Sequence, residues 1–198
     1  MSRAWIIFIL CSLHLFISQL YRTTNAVLAP WLIQDLRLDT EGLGLLSAGF
    51  FYAFALTQIP ISIFLDKIGA KRLMIALSFV GMAGAVMFSL AQGLEMGLAG
   101  RMLLGVGMAC NLMGPLKLLT EWFPPSRFAT ASGLLYAIGT LGNIVAATPL
   151  VLLVEQLGWR PSFQAVIAVH LLLTLALFGV GQDRPQAKNA AAAPAASG

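Results

Sequence analysis

Two arginines stand inside long apolar runs of this 198-residue sequence, Arg22 within residues 4–30 and Arg101 within residues 94–119. A guanidinium is charged at any ordinary pH and has no bulk water in such a setting, so each must be paired structurally or placed on a solute pathway. Both readings stand for both residues. Arg22 shares a helical face with Ser18 and Asn25, and Tyr21 adjoins it, which gives a polar stripe along the first apolar run. The chemistry on offer there is recognition of a phosphate or carboxylate, which a guanidinium grips through two parallel hydrogen bonds. The competing reading has Arg22 extend its head to the interface along its apolar stem. Gln58, Asn111, and Tyr136, Thr140 and Asn143 at helical spacing could extend a polar lining, although each alone also suits a helix–helix hydrogen bond.

Other chemistries find less support. The interiors of the apolar runs contain no Asp or Glu, so a carboxylate proton relay has no members, and His14 and His170 are open to packing or proton coupling. Cys11 and Cys110 fall in apolar surroundings and read as core residues, neither disulfide nor metal ligands, and no cofactor is expected. Ser132 with His170 would be the members of an intramembrane serine hydrolase. The segment Thr130-Ala131-Ser132-Gly133 lacks a Gly-x-Ser-Gly nucleophile turn, and Ser132 falls near a helix end while His170 falls nearer the middle of its helix. Asp66 stands alone in its loop, without the further carboxylates that metal-assisted phosphotransfer needs. The residues therefore suggest a binding pathway and not an enzyme.

The elements that must position these residues follow from composition. The chain is 59% hydrophobic and only 10% charged, with a mean hydropathy of +0.85, whereas a soluble domain carries about 25% charged residues. Six stretches supply the roughly 20 apolar residues a helix needs to cross a bilayer: residues 4–30, 43–65, 73–91, 94–119, 128–153 and 162–181. The expectation is an all-α membrane protein of six transmembrane helices with lipid as its solvent. On the first of these helices Arg22 lies about 13 Å from Trp31 at 1.5 Å per residue, well inside the hydrocarbon. That first run, from Trp5 past Arg22 to Pro30, is too long for a cleaved leader and reads as a retained helix. An even number of crossings puts both termini on one side. Arg3, Lys67, Lys71, Arg72, Lys117, Arg127, Arg184 and Lys188 share that side, against Arg37 and Arg160 on the other, so the positive-inside rule makes both termini cytoplasmic. The net charge of +4 is thus a topology signal, and no basic run with interleaved aromatics suggests nucleic acid. Gln92 and Gly93 form a tight turn, and frequent glycines mark seams between antiparallel helices. Residues 1–182 form the bundle, and residues 183–198 an Ala/Pro-rich cytoplasmic tail expected to be disordered.

Four segments carry a resemblance. Ser62, Asp66, Lys67, Gly69, Lys71 and Arg72 resemble the signature loop of the major facilitator superfamily, Gly-x-x-x-Asp-Arg/Lys-x-Gly-x-Arg/Lys-Arg/Lys, with Ser62 in place of the first glycine. Arg101, Gly105 and Gly107 are similar to the family's helix-four segment, residues 122–127 to its following loop, and Gly158, Trp159, Arg160 and Phe163 to the start of its sixth helix. The resemblance spans residues 4–185 and implies the amino-terminal six-helix half of a transporter, with Asp66, Lys67, Gly69, Lys71 and Arg72 in the conformational gate loop. Family members bind their solute near the bilayer midplane between two six-helix bundles. The resemblance therefore implies a second unit, whether a partner half or another copy, unless the chain is a truncated or accessory protein without transport of its own. Arg22, eight residues before Pro30, resembles the first helix of organophosphate:phosphate antiporters and implies a small anionic solute. Helix five lacks the Gly-Pro pair of the antiporter motif, which leaves the coupling open. A bacterial cytoplasmic membrane is the expected location.

Overall fold

Prolines, glycines and one aspartate decide where the helices begin and break. The computed structural model describes residues 3–180. Among these residues there are nine helices and no strand: α1 Arg3–Val27, α2 Ala29–Asp35, α3 Thr40–Ile68, α4 Ala70–Ser89, α5 Leu94–Met108, α6 Cys110–Trp122, α7 Pro125–Ala147, α8 Pro149–Leu157 and α9 Trp159–Val180. They supply six helical stretches long and apolar enough to cross a bilayer, Arg3–Val27, Thr40–Ile68, Ala70–Ser89, Leu94–Trp122, Pro125–Leu157 and Trp159–Val180. The six-helix, all-α architecture is as expected.

Four helices start three residues before the apolar runs read from sequence, at residues 40, 70, 125 and 159. The runs mark the part matched to hydrocarbon, whereas caps lie outside it. Asp39 caps α3 by accepting the Gly42 N–H at 2.7 Å, Pro125 opens α7 where no N–H partner is needed, and Gly69 and Gly158 are single-residue links before α4 and α9. At φ of 92° and 83° these two links occupy the region that favours glycine. Three stretches expected to be continuous are instead interrupted. Pro30 and Pro149, lacking a donor N–H, lie in the first turns of α2 and α8. At Ala109 the N–H turns to the Val106 carbonyl, three residues back, at 3.3 Å. Gly181, Arg184, Lys188 and the tail 183–198 lie outside the described residues.

Small residues bring the helices together. A β-carbon on Gly84 of α4 would lie 2.7 Å from the Gly100 carbonyl oxygen of α5, and one on Gly105 of α5 would collide with the Phe50 carbonyl oxygen of α3. Two apolar clusters fill the bundle. One, around Tyr21, Phe50, Phe88, Met108 and Phe163, lies towards the Asp35 end, and the other, around Phe8, Cys11, Met74, Cys110 and Leu177, towards the Arg3 end. Trp5 meets Phe123 edge-on at 5.7 Å, which sets the start of α1 beside the end of α6. Lys71 Nζ donates to the Phe178 carbonyl at 2.9 Å, which sets the start of α4 beside the end of α9. Lys67, Lys71, Arg72, Lys117 and Arg127 therefore gather at one end of the bundle and Asp35, Asp39, Glu41, Glu95 and Glu155 at the other.

Candidate functional site

Helix α1 packs against α7, α6 and α9 and touches α3, and two of its polar residues reach α7 and α3. Thr23 Oγ1 donates to Asn143 Oδ1 of α7 at 2.6 Å. On the other side Asn25 Nδ2 donates to Ser47 Oγ of α3 at 2.6 Å. Arg22 lies between these ties, half-buried, with its guanidinium carbon 4.6 Å from the Phe54 ring centroid and 5.8 Å from that of Phe51, both on α3. Its Nε is buried without a hydrogen bond, and among the described residues no carboxylate pairs with the guanidinium. Two aromatic faces contribute a cation–π attraction of about 1–2 kcal/mol each at most, which steadies the cation without neutralising it. Tyr136 and Thr140 of α7 are exposed.

Ser18, Tyr21 and Asn25 of the first apolar run turn inward. Ser18 and Asn25 are 2% exposed and Tyr21 is fully buried, its ring 5.4 Å from Phe163 and 5.8 Å from His170 of α9. A shared arc of one helix thus meets different neighbours along its length, and Arg22 with its sequence neighbour Thr23 reaches the open side. Residues not singled out from sequence complete this surface: Thr23, Phe51, Phe54 and Ser47. The signal available was the placement of Phe51 and Phe54 three apart on one helical face.

Arg101 has a different environment. Its side chain is fully buried between the rings of Phe50 and Phe88, with Nη1 donating to the Tyr21 carbonyl at 3.1 Å and Nε to the Leu46 carbonyl at 3.4 Å. It thereby ties α5 to α1 and α3, and Gly105, one turn on, lets the α3 backbone come close enough to be reached. Gln58 Nε2 donates at 3.1 Å to the Ala109 carbonyl, at the break between α5 and α6. Asn111 is buried beside Met108, with its Nδ2 3.5 Å from the sulfur.

At the basic end, Asp66 and Lys67 form the last turn of α3, Gly69 the link, and Lys71 and Arg72 the first turn of α4. Asp66 pairs with Lys117 of α6 at 2.9 Å, with the two side chains 72% and 41% exposed. At the acidic end, Asp35 accepts the Trp159 indole N–H at 2.8 Å, while Arg160 lies over that indole and donates to the Ser89 carbonyl at 2.7 Å. This joins α2, α4 and α9, and it explains the run Gly158, Trp159, Arg160 in structural terms.

Six helical stretches long and apolar enough to cross a bilayer, packed around a buried arginine, define an integral membrane protein. A sequence profile described as Major Facilitator Superfamily matches residues 11–197, and the chain belongs to that family. It is 28% identical to a probable sulfoacetate transporter, SauU, of Cupriavidus necator, over 93% of this chain and 43% of that protein. It is 27% identical to a hexuronate transporter of Bacillus subtilis, over 86% of this chain and 40% of that one. The fold matches a bacterial homolog of the human lysosomal transporter Spinster, in an inward-facing and unoccupied conformation, with a TM-score of 0.82, 22% identity, and coverage of 93% of this chain and 44% of the other. The transporter FucP in its outward conformation matches with a TM-score of 0.72, 20% identity, and coverage of 93% and 51%. The chain spans less than half the length of these two transporter relatives.

Proposed function

We propose that this chain is one six-helix half of a secondary carrier for a small organic or phosphate-type anion. Arg22 carries the reading: it is a permanent cation on the open side of a membrane span, held by aromatic faces and without a carboxylate partner among the described residues. A buried or half-buried charge in a bilayer is costly, and a solute oxyanion would supply the missing partner through two charge-assisted hydrogen bonds. Asn143, Thr23 and Tyr136 beside it can bond the hydroxyl or carbonyl groups of such a solute. The relatives are named for sulfoacetate, hexuronate, galactarate/D-glucarate and ascorbate, all of them acids, which supports an anionic solute here.

The open side needs a second wall, because alternating access rocks one bundle against another. A second six-helix unit, another copy or a separate half, faces α1, α3 and α7 across the solute. Asp66, Lys67, Gly69, Lys71 and Arg72 form the gate loop, with the Asp66–Lys117 pair closing in one state and exchanging in the other. The excess of basic residues at the Arg3 end supports cytoplasmic termini by the positive-inside rule, and a bacterial inner membrane is the location that goes with this reading.

The test is the mass of the full-length chain extracted in mild detergent, combined with uptake of labelled hexuronate and phosphate by vesicles containing it. A complex of two six-helix units, with uptake lost in Arg22→Ala, is the expected result. A monomer without uptake would leave an accessory six-helix protein.

A further inference from the structure

The two apolar clusters of the bundle have separate buried members and are bridged by Phe54 and Leu173, which pack against both. On α1 the division falls between Leu15 and Ile17, and on α9 between Val166 and Leu177. At that level His14 of α1 and His170 of α9 face each other edge-on, their ring centroids 6.0 Å apart, and the Tyr21 ring lies 5.8 Å from His170. All three side chains are fully buried. His14 Nδ1 lies 2.8 Å from the Leu10 carbonyl oxygen, which can only accept, so Nδ1 carries the proton and Nε2 presents a lone pair inward. That Nε2, both nitrogens of His170 and the Tyr21 hydroxyl form no hydrogen bond with any described residue.

Four orphaned polar atoms on three neighbouring side chains are hard to reconcile with a dry joint. Buried donors and acceptors in a protein almost always have partners, and lipid supplies none. The rings meet edge-on, and bound water about 2.8 Å from a ring nitrogen or the hydroxyl would supply the missing partners. The chemistry is complementary too. A neutral His170 offers one N–H and one lone pair, the tyrosine a donor and an acceptor, and His14 an acceptor, so two donors and three acceptors are available, and more than one water is needed because the two nitrogens of a ring point apart.

We propose that His14, His170 and Tyr21 enclose an internal water site near the centre of the bundle, a wet joint that links α1 to α9 where the two apolar clusters adjoin. The Tyr21 carbonyl also receives Arg101, so the joint connects to the tie that holds α1 against α5. The inference does not depend on the solute or on a second bundle, since all its members belong to the inward side of α1 and α9.

The chain contains two histidines, so 15N-histidine labelling of the full-length protein in lipid bilayers gives one pair of ring signals from each. In water-edited solid-state NMR, magnetisation from water protons is expected to reach His14 Nε2 and at least one nitrogen of His170. Tyr21→Phe should shift the His170 signals and leave His14 Nδ1, bound to Leu10, in place. Rings that receive no magnetisation from water in the wild-type protein would overturn the proposal, whether or not the variant folds.

Discussion

Gly105→Ala tests the packing that positions Arg101 and the α3 backbone. The added methyl would collide with the Phe50 carbonyl oxygen and sit 3.2 Å from the Phe54 nitrogen, both of them backbone atoms that cannot rotate away. Overpacking of this kind costs about 1–3 kcal/mol, and the rigid obstacle puts this case near the upper end. Alanine recovers about 1 kcal/mol over glycine in helix propensity, which leaves a net loss of about 2 kcal/mol. At about 2–4 °C per kcal/mol for a chain of this size, the melting temperature should fall by about 4–8 °C. Gly133→Ala is the matched control, because nothing lies within 4 Å of the added methyl and only the propensity term remains. That variant should melt at or up to about 4 °C above the wild type. Cys11 and Cys110 are fully buried, so a thiol-reactive dye reports unfolding in detergent directly. If Gly105→Ala melted at or above the wild type, or both variants moved together, the close approach of α5 to α3 would be wrong.

Three further outcomes follow from single contacts. Gln58→Leu leaves the Ala109 carbonyl at the α5–α6 break without its side-chain donor, and should lower stability by about 1–3 kcal/mol in the same thermal assay. Trp159→Phe keeps the ring but removes the donor to Asp35, costing about 1 kcal/mol, and hydrogen exchange at the Asp35 end should quicken. Lys117→Met removes an exposed pair and should change stability by no more than about 1 kcal/mol, so a larger thermal shift would mean that Asp66 is held more tightly than its exposure suggests.

The six spans were legible because each needs an uninterrupted apolar stretch, and the ends were offset because caps such as Asp39 and Gly69 carry no hydropathy signal. The breaks before α2 and α8 had visible prolines, but a proline in a membrane helix can kink, break or merely start a turn, and neighbours decide which. The break at Ala109 has no residue of its own to announce it; its carbonyl is held by Gln58, fifty-one positions away in sequence. Arg22 and Arg101 were equally conspicuous as charges in apolar runs, yet one faces the open side and the other bonds carbonyls of α1 and α3. Only the packing of α3 against α5 separates them. Tyr21, adjacent to Arg22, points the other way because successive helical residues are about 100° apart. The superfamily motifs were readable as words, and the geometry gives several of them a structural sense: Trp159 and Arg160 tie Asp35 and Ser89, and Asp66 meets Lys117.

The most direct measurement is equilibrium binding of labelled hexuronate and inorganic phosphate to the full-length chain in lipid nanodiscs, wild type against Arg22→Gln. Saturable anion binding that falls at least tenfold in the variant, with the thermal stability of the variant retained, is the predicted result. Binding that is equal in both proteins would contradict the assignment of Arg22 as the anion's partner.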